Sequence, residues 1–126
     1  VNDEHGDGVG DALLTAFGDL LVKQGRKSDV ACRYGGEEFC LLMPRTDARG
    51  AARKVSALLK HWRAASFEFG AETLEGLAFS AGVSDSRAAP ASAPQFIKSA
   101  DDALLAAKEA GRDRVLTAAE LAAQAA

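Results

Sequence analysis

Two adjacent glycines, Gly35 and Gly36, split residues 29–44 (DVACRYGGEEFCLLMP) into two short strand-like halves. A glycine pair between two such runs turns the chain back on itself, so the segment reads as a β-hairpin, with Pro44 ending its second strand. Helical and strand-like patterns alternate around it. Residues 12–24 place Leu13, Leu14, Phe17, Leu20 and Leu21 at helical spacing, with Asp11 as the expected cap and Gly25 as the stop. Asp47 is expected to start a long helix through Ala51, Val55, Leu58, Leu59 and Trp62 that ends near Ala65. A strand is expected at 77–83, after a less regular stretch over 67–75. A loop rich in Ala, Ser and Pro covers 84–94. The spacing of Phe96, Ile97, Ala100, Ala103, Leu104 and Ala107 predicts a helix over 95–110, and a last short strand is expected at 114–116. The alanine-rich tail, 117–126, reads as a marginal helix leading out of a domain that spans 1–116. This order argues for an α/β (α+β) sandwich with a mainly antiparallel central sheet and flanking helices.

The chain of 126 residues fits one domain. A net charge of -3 argues against a general electrostatic grip on nucleic acid, which needs a basic surface. No apolar run approaches the roughly 20 residues that span a bilayer, and no secretory pattern opens the sequence. A nucleotide substrate stays open, because a few local cations and a metal ion suffice to hold a triphosphate. If Tyr34 and Glu37 close the turn, Cys32 lies opposite Phe39 and Cys40 points to the other face. The two cysteines then read as small core residues and poor disulfide partners in a reducing compartment. His5 and His61 lack the spacing to complete a zinc site with them.

Chemistry concentrates at residues 33–39, RYGGEEF. The glycines let a backbone come close to a ligand and adopt positive φ without steric cost. Glu37 and Glu38 follow directly, and adjacent carboxylates are costly unless paired, solvated or bound to cations. The stretch reads either as a phosphate-approach loop beside a site for a divalent, oxygen-loving metal such as Mg²⁺, or as an exposed turn with solvated acids. A calcium loop beginning at Asp3 fails: Gly8 fits the sixth position, but Leu14 stands where a bidentate Glu is required.

RYGGEEF resembles the signature hairpin of the GGDEF diguanylate cyclase family, in its GGEEF variant. Other segments match in the same order. Asn2-Asp3-Glu4-His5-Gly6 with Gly10-Asp11 resembles the family's N-D-x-x-G-H-x-x-G-D stretch, with Asp7 where His is usual. Ser80-Ala81-Gly82-Val83 resembles its S-x-G-V strand. Residues 100–112 resemble A-D-x-A-L-Y-x-A-K-x-x-G-R, with Leu105 in place of Tyr. The resemblance implies a fold like the palm of class III nucleotidyl cyclases and polymerases. It also implies an activity: two GTP molecules, one per subunit of a homodimer, condense into cyclic di-GMP with loss of two pyrophosphates.

Carried over by position, Glu37 and Glu38 belong to the catalytic hairpin, with Glu37 a ligand of Mg²⁺ or Mn²⁺. Gly35 and Gly36 admit the phosphates, and Asn2 and Asp11 hydrogen-bond the guanine edge. Lys108 and Arg112, one helical turn apart, hold the terminal phosphates. Taken without the family, Asn2 and Asp11 read as a turn residue and a helix cap. Lys108 and Arg112 then complement a helix C-terminus. Arg26 and Asp29 form an R-x-x-D at the offset where the family binds its product as an inhibitor; as a bare pattern it is a loop ion pair. The family also opens with a strand ending in D-x-D-x-F-K, and the sequence begins just after that point. The domain by itself is therefore expected to be weak or inactive. A cytoplasmic setting and an upstream sensor domain are implied, with no membrane segment in this chain. The alternative is a catalytically inactive module that acts as a receptor for cyclic di-GMP or GTP.

Overall fold

The computed structural model describes residues 6–36, 38–87 and 92–125. The chain falls into two compact units, one of residues 1–44 with 66–74, the other of 45–65 with 75–126.

In the first unit, α1 (Gly6–Gln24) packs against the hairpin strand β1 (Val30–Gly35), which pairs antiparallel with β2 (Glu38–Leu42). Leu13, Leu20 and Leu21 form the buried stripe of α1, as their helical spacing predicts. Phe17 meets Phe39 of β2 edge-on, with ring centroids 5.1 Å apart and planes at 67°. Such a pair adds about 0.5–1.5 kcal/mol beyond the area it buries. Gly18 lies beside the pair, where a Cβ would sit in ordinary contact with the Phe39 ring, at 3.4 Å. The helix starts earlier than expected, so Asp11 sits inside it and does not cap it.

The hairpin register also differs from the expectation. Gly35 pairs with Glu38, a bulge follows, and Arg33 pairs with Phe39 and Cys32 with Cys40. One residue absorbed by the bulge shifts the pairing and brings the two cysteines onto the same face. Neither is a core residue: Cys32 is exposed and Cys40 half-buried, and both are free thiols. Residues 66–75, expected to be irregular, form a second hairpin of β3 (Ser66–Phe69) and β4 (Glu72–Glu75). Its tight turn uses Gly70 at φ +62°.

In the second unit, α2 (Ala48–Ala64) opens on Asp47, whose carboxylate accepts from the Gly50 backbone N–H at 2.8 Å. Ala51, Val55, Leu58, Leu59 and Trp62 make its buried stripe. The expected strand over 77–83 shortens to β5 (Ala81–Val83). Ser80, just before it, turns its hydroxyl to the Asp113 backbone N–H at 3.1 Å. β5 pairs in parallel with β6 (Val115–Thr117), Gly82 facing Leu116. Between them in sequence, α3 (Ala93–Glu109) is capped by Ser92 and buries Ala103 and Ala107. Gly82 permits its contact with β5: a Cβ there would lie 2.0 Å from the Ala100 carbonyl oxygen. The tail forms α4 (Ala118–Ala125), which packs on α3 and β6. Thr117 and Glu120 exchange side-chain-to-backbone hydrogen bonds of 3.0 and 3.1 Å, a capping box.

The α+β class stands. Among the described residues the strands pair in three two-stranded sheets, of which β5–β6 is parallel.

Candidate functional site

The first unit carries the hairpin turn. Gly35 and Gly36 are exposed, and Glu38 is half-buried at the start of β2. Neither glycine adopts the left-handed backbone that the sequence allowed for. Among the described residues, a Cβ built on Gly36 meets nothing within 4 Å, and one on Gly35 meets only the Glu38 Oε1 at 4.0 Å. Arg33, to which the sequence assigned no role, reaches back across the turn. Its Nε donates to the Gly36 carbonyl at 2.9 Å, and its Nη2 donates to the same oxygen. An arginine just ahead of the glycine pair was the available signal for this clasp. Asp11 is exposed on α1, in the same unit. Asn2 and Glu37 lie outside the described residues.

The R-x-x-D segment also belongs to this unit. The Asp29 side chain is only 3% exposed, so its charge needs partners. Arg26 supplies them: its backbone N–H donates to Oδ2 at 2.9 Å, while Nε and Nη2 donate to Oδ1 at 3.2 and 3.0 Å. The same Nη2 donates to the Pro44 carbonyl at 2.9 Å, tying the loop before β1 to the chain just past β2. Beside this pair lies an open hollow of about 220 Å³, lined in part by Leu21, Val22, Gly25, Arg26, Asp29 and Leu41. That is below the roughly 300 Å³ of a typical small-molecule site.

Lys108 and Arg112 belong to the second unit. Lys108 is half-buried in the last turn of α3. The expected single helical turn between them is not there, because α3 ends at Glu109 with Ala110 as its C-cap. Gly111 (φ +125°) donates to the Lys108 carbonyl at 3.3 Å, and Arg112 donates to Ala107 at 2.9 Å. These two bonds make a Schellman ending, and its glycine breaks the helix before Arg112. Arg112 and Asp113 continue in left-handed backbone, at φ 62° and 51°. Asp113 is anchored by the Ser80 hydroxyl and by Arg63, whose Nε donates to Oδ1 at 2.9 Å.

Among the described residues, no three His, Cys, Asp or Glu side chains converge as metal ligands. The metal ligand expected from the sequence, Glu37, falls outside them. Among the described residues no helix is long and apolar enough to cross a membrane.

The family model described as "Diguanylate cyclase, GGDEF domain" matches residues 1–114. The chain is 34% identical over 118 residues to the response regulator PleD of Caulobacter vibrioides, covering 92% of this chain and 26% of that protein. It is 36% identical over 115 residues to the diguanylate cyclase DgcP of Pseudomonas aeruginosa, covering 91% of this chain and 17% of that one. The chain thus spans about a quarter of the length of the first relative and less than a fifth of the second. Among solved structures it is similar to the GGDEF domain of DgcB from Caulobacter crescentus in complex with c-di-GMP. There the TM-score is 0.83 at 27% identity, over 93% of this chain and 69% of that one.

Proposed function

This chain belongs to the GGDEF family of diguanylate cyclase domains, and from that premise we propose that it joins two GTP molecules into cyclic di-GMP. In each half of the reaction, the 3′-hydroxyl of one GTP attacks the α-phosphate of the other. A phosphoester forms, the bond to pyrophosphate breaks, and the hydroxyl proton leaves to a base or water. The observation that carries this reading is the open space at the hairpin tip. Glycine weakens a strand, yet Gly35 and Gly36 are required neither by left-handed backbone nor by packing among the described residues. What calls for glycine is an approach from outside, and a phosphate chain beside the backbone is that kind of approach.

In this proposal Asn2 and Asp11 read the guanine edge. A base lacking the matching groups would leave buried polar atoms unpaired, which is how such a site rejects it. Lys108 and Arg112 neutralise the terminal phosphates, the guanidinium by bidentate contact. Glu37 and Glu38 complete the hairpin's catalytic role. A divalent cation, Mg²⁺ or Mn²⁺, held in part by Glu37 would supply charge neutralisation at the phosphates when bound. The symmetry of the product calls for a homodimer, one GTP per subunit. An upstream sensor that sets the geometry of that dimer, and a cytoplasmic setting, complete the proposal. The Arg26–Asp29 pair and its hollow then serve as a product site that slows the enzyme. That same preformed pair supports the second reading, a receptor that binds cyclic di-GMP without turnover.

The test is conversion of GTP to cyclic di-GMP with Mg²⁺, run beside Glu37→Ala and Arg26→Ala. The unaltered protein should make product, and Glu37→Ala should make about 100-fold less or none. Arg26→Ala should keep its turnover and lose inhibition by product. No product from the unaltered protein, at concentrations that allow pairing, would overturn the enzyme reading and leave the receptor.

A further inference from the structure

The hairpin register sets Cys32 of β1, three residues before Gly35, directly against Cys40 of β2. Residues directly opposite in a ladder present their side chains on one face. Their Cα atoms lie about 5.5 Å apart in a hydrogen-bonded pair and about 4.5 Å in a non-hydrogen-bonded one. Both values fall within the roughly 4.4–6.8 Å that a disulfide spans. The Cβ atoms need to close by about 1 Å from their usual ladder spacing. The bulge between Arg33 and Gly35 lies one rung nearer the turn, beyond the Arg33–Phe39 pair.

We propose that Cys32 and Cys40 form a reversible intrachain disulfide when the protein meets a peroxide, a modification site that clasps the hairpin just beneath its Gly35-Gly36 turn. Cys32 is the exposed member and meets the oxidant first. Burial pushes the Cys40 thiol up, and Cys32 beside it, within hydrogen-bonding reach, adds to the shift; Cys40 is thus kept as a thiol until its partner has reacted.

In the first step the Cys32 thiolate attacks one peroxide oxygen. The O–O bond breaks, hydroxide leaves and takes up a proton, and Cys32 becomes a sulfenic acid. In the second, Cys40 gives its proton to water and its sulfur attacks that of Cys32. The S–O bond breaks, hydroxide leaves as water, and the S–S bond closes. The two sulfurs together give two electrons to one hydrogen peroxide, which becomes two waters. A dithiol reductant returns both thiols by exchange.

This inference does not depend on the cyclase reading, and its test reads the covalent bond itself. Trypsin cuts after Lys27, Arg33 and Arg45, so Cys32 and Cys40 fall on separate peptides, 28–33 and 34–45. The reduced protein is treated with hydrogen peroxide, its remaining thiols are alkylated, and the unreduced digest is weighed by mass spectrometry. The expected result is one species joining the two peptides from within a single chain. It should disappear on treatment with dithiothreitol and be absent from Cys40→Ala. Oxidation of Cys32 to sulfinic acid with Cys40 still alkylatable, or disulfides found only in cross-linked dimers on a non-reducing gel, would overturn the proposal.

Discussion

A methyl group at Gly82 would sit 2.0 Å from the Ala100 carbonyl oxygen and 2.2 Å from the Leu104 nitrogen, both backbone atoms of α3 that no rotamer change can move. A methyl at Gly36 would meet nothing among the described residues within 4 Å. In the sequence both glycines stood inside matching segments and looked equivalent, because the letter G does not record what faces it. Their replacements should separate cleanly. Gly82→Ala overpacks the strand–helix contact and should cost roughly 3 kcal/mol or more in a urea melt. Gly36→Ala should leave stability within about 0.5 kcal/mol, yet lower GTP turnover by about tenfold or more, a loss of at least ~1.4 kcal/mol in transition-state stabilisation. Unchanged turnover in Gly36→Ala would contradict the role given to the open tip.

Among the elements, α2 and α3 were the most legible, since their apolar residues recur at helical spacing and Asp47 marks the start of the first. The start of α1 was less so, because Gly6, Gly8 and Gly10 weaken the pattern there and the tertiary fold overrides their poor propensity. β3 had a visible alternation in Phe67 and Phe69, followed by Gly70, but four residues are too few to outweigh their surroundings. The hairpin was plain from its glycines, whereas its register was not. A bulge is a tertiary adjustment that leaves no mark in composition, and here it moved every pair below it by one place. The double hydrogen bond of Arg33 to the Gly36 carbonyl is a feature of the turn itself. Arg33→Ala should cost about 1 kcal/mol of stability or less, because the contact is exposed. Its effect on turnover should be larger than its effect on melting, since it frees the carbonyl that fixes the tip. A parallel loss of both would assign Arg33 a purely structural part.

At the scale of the whole molecule, the candidate residues are divided between the two units, with Asp11, Arg26, Asp29 and the hairpin in one and Lys108 and Arg112 in the other. With a net charge of -3, the chain has no overall field that draws in a polyanion, so placement of single cations matters more than their number. A reaction shared by two copies should also show itself in dilution. Turnover per mole of protein should rise with protein concentration until the dimer saturates; a flat profile across a wide dilution series would place the whole reaction within one copy. The ending of α3 has a consequence for affinity. Gly111, Arg112 and Asp113 are fixed by the helix ending, the Ser80 hydroxyl and Arg63 before any ligand arrives. Ordering one residue's backbone costs roughly 1–2 kcal/mol of entropy. Here that loss belongs to folding, so under the proposed phosphate contact Arg112 has only its side-chain rotors left to still.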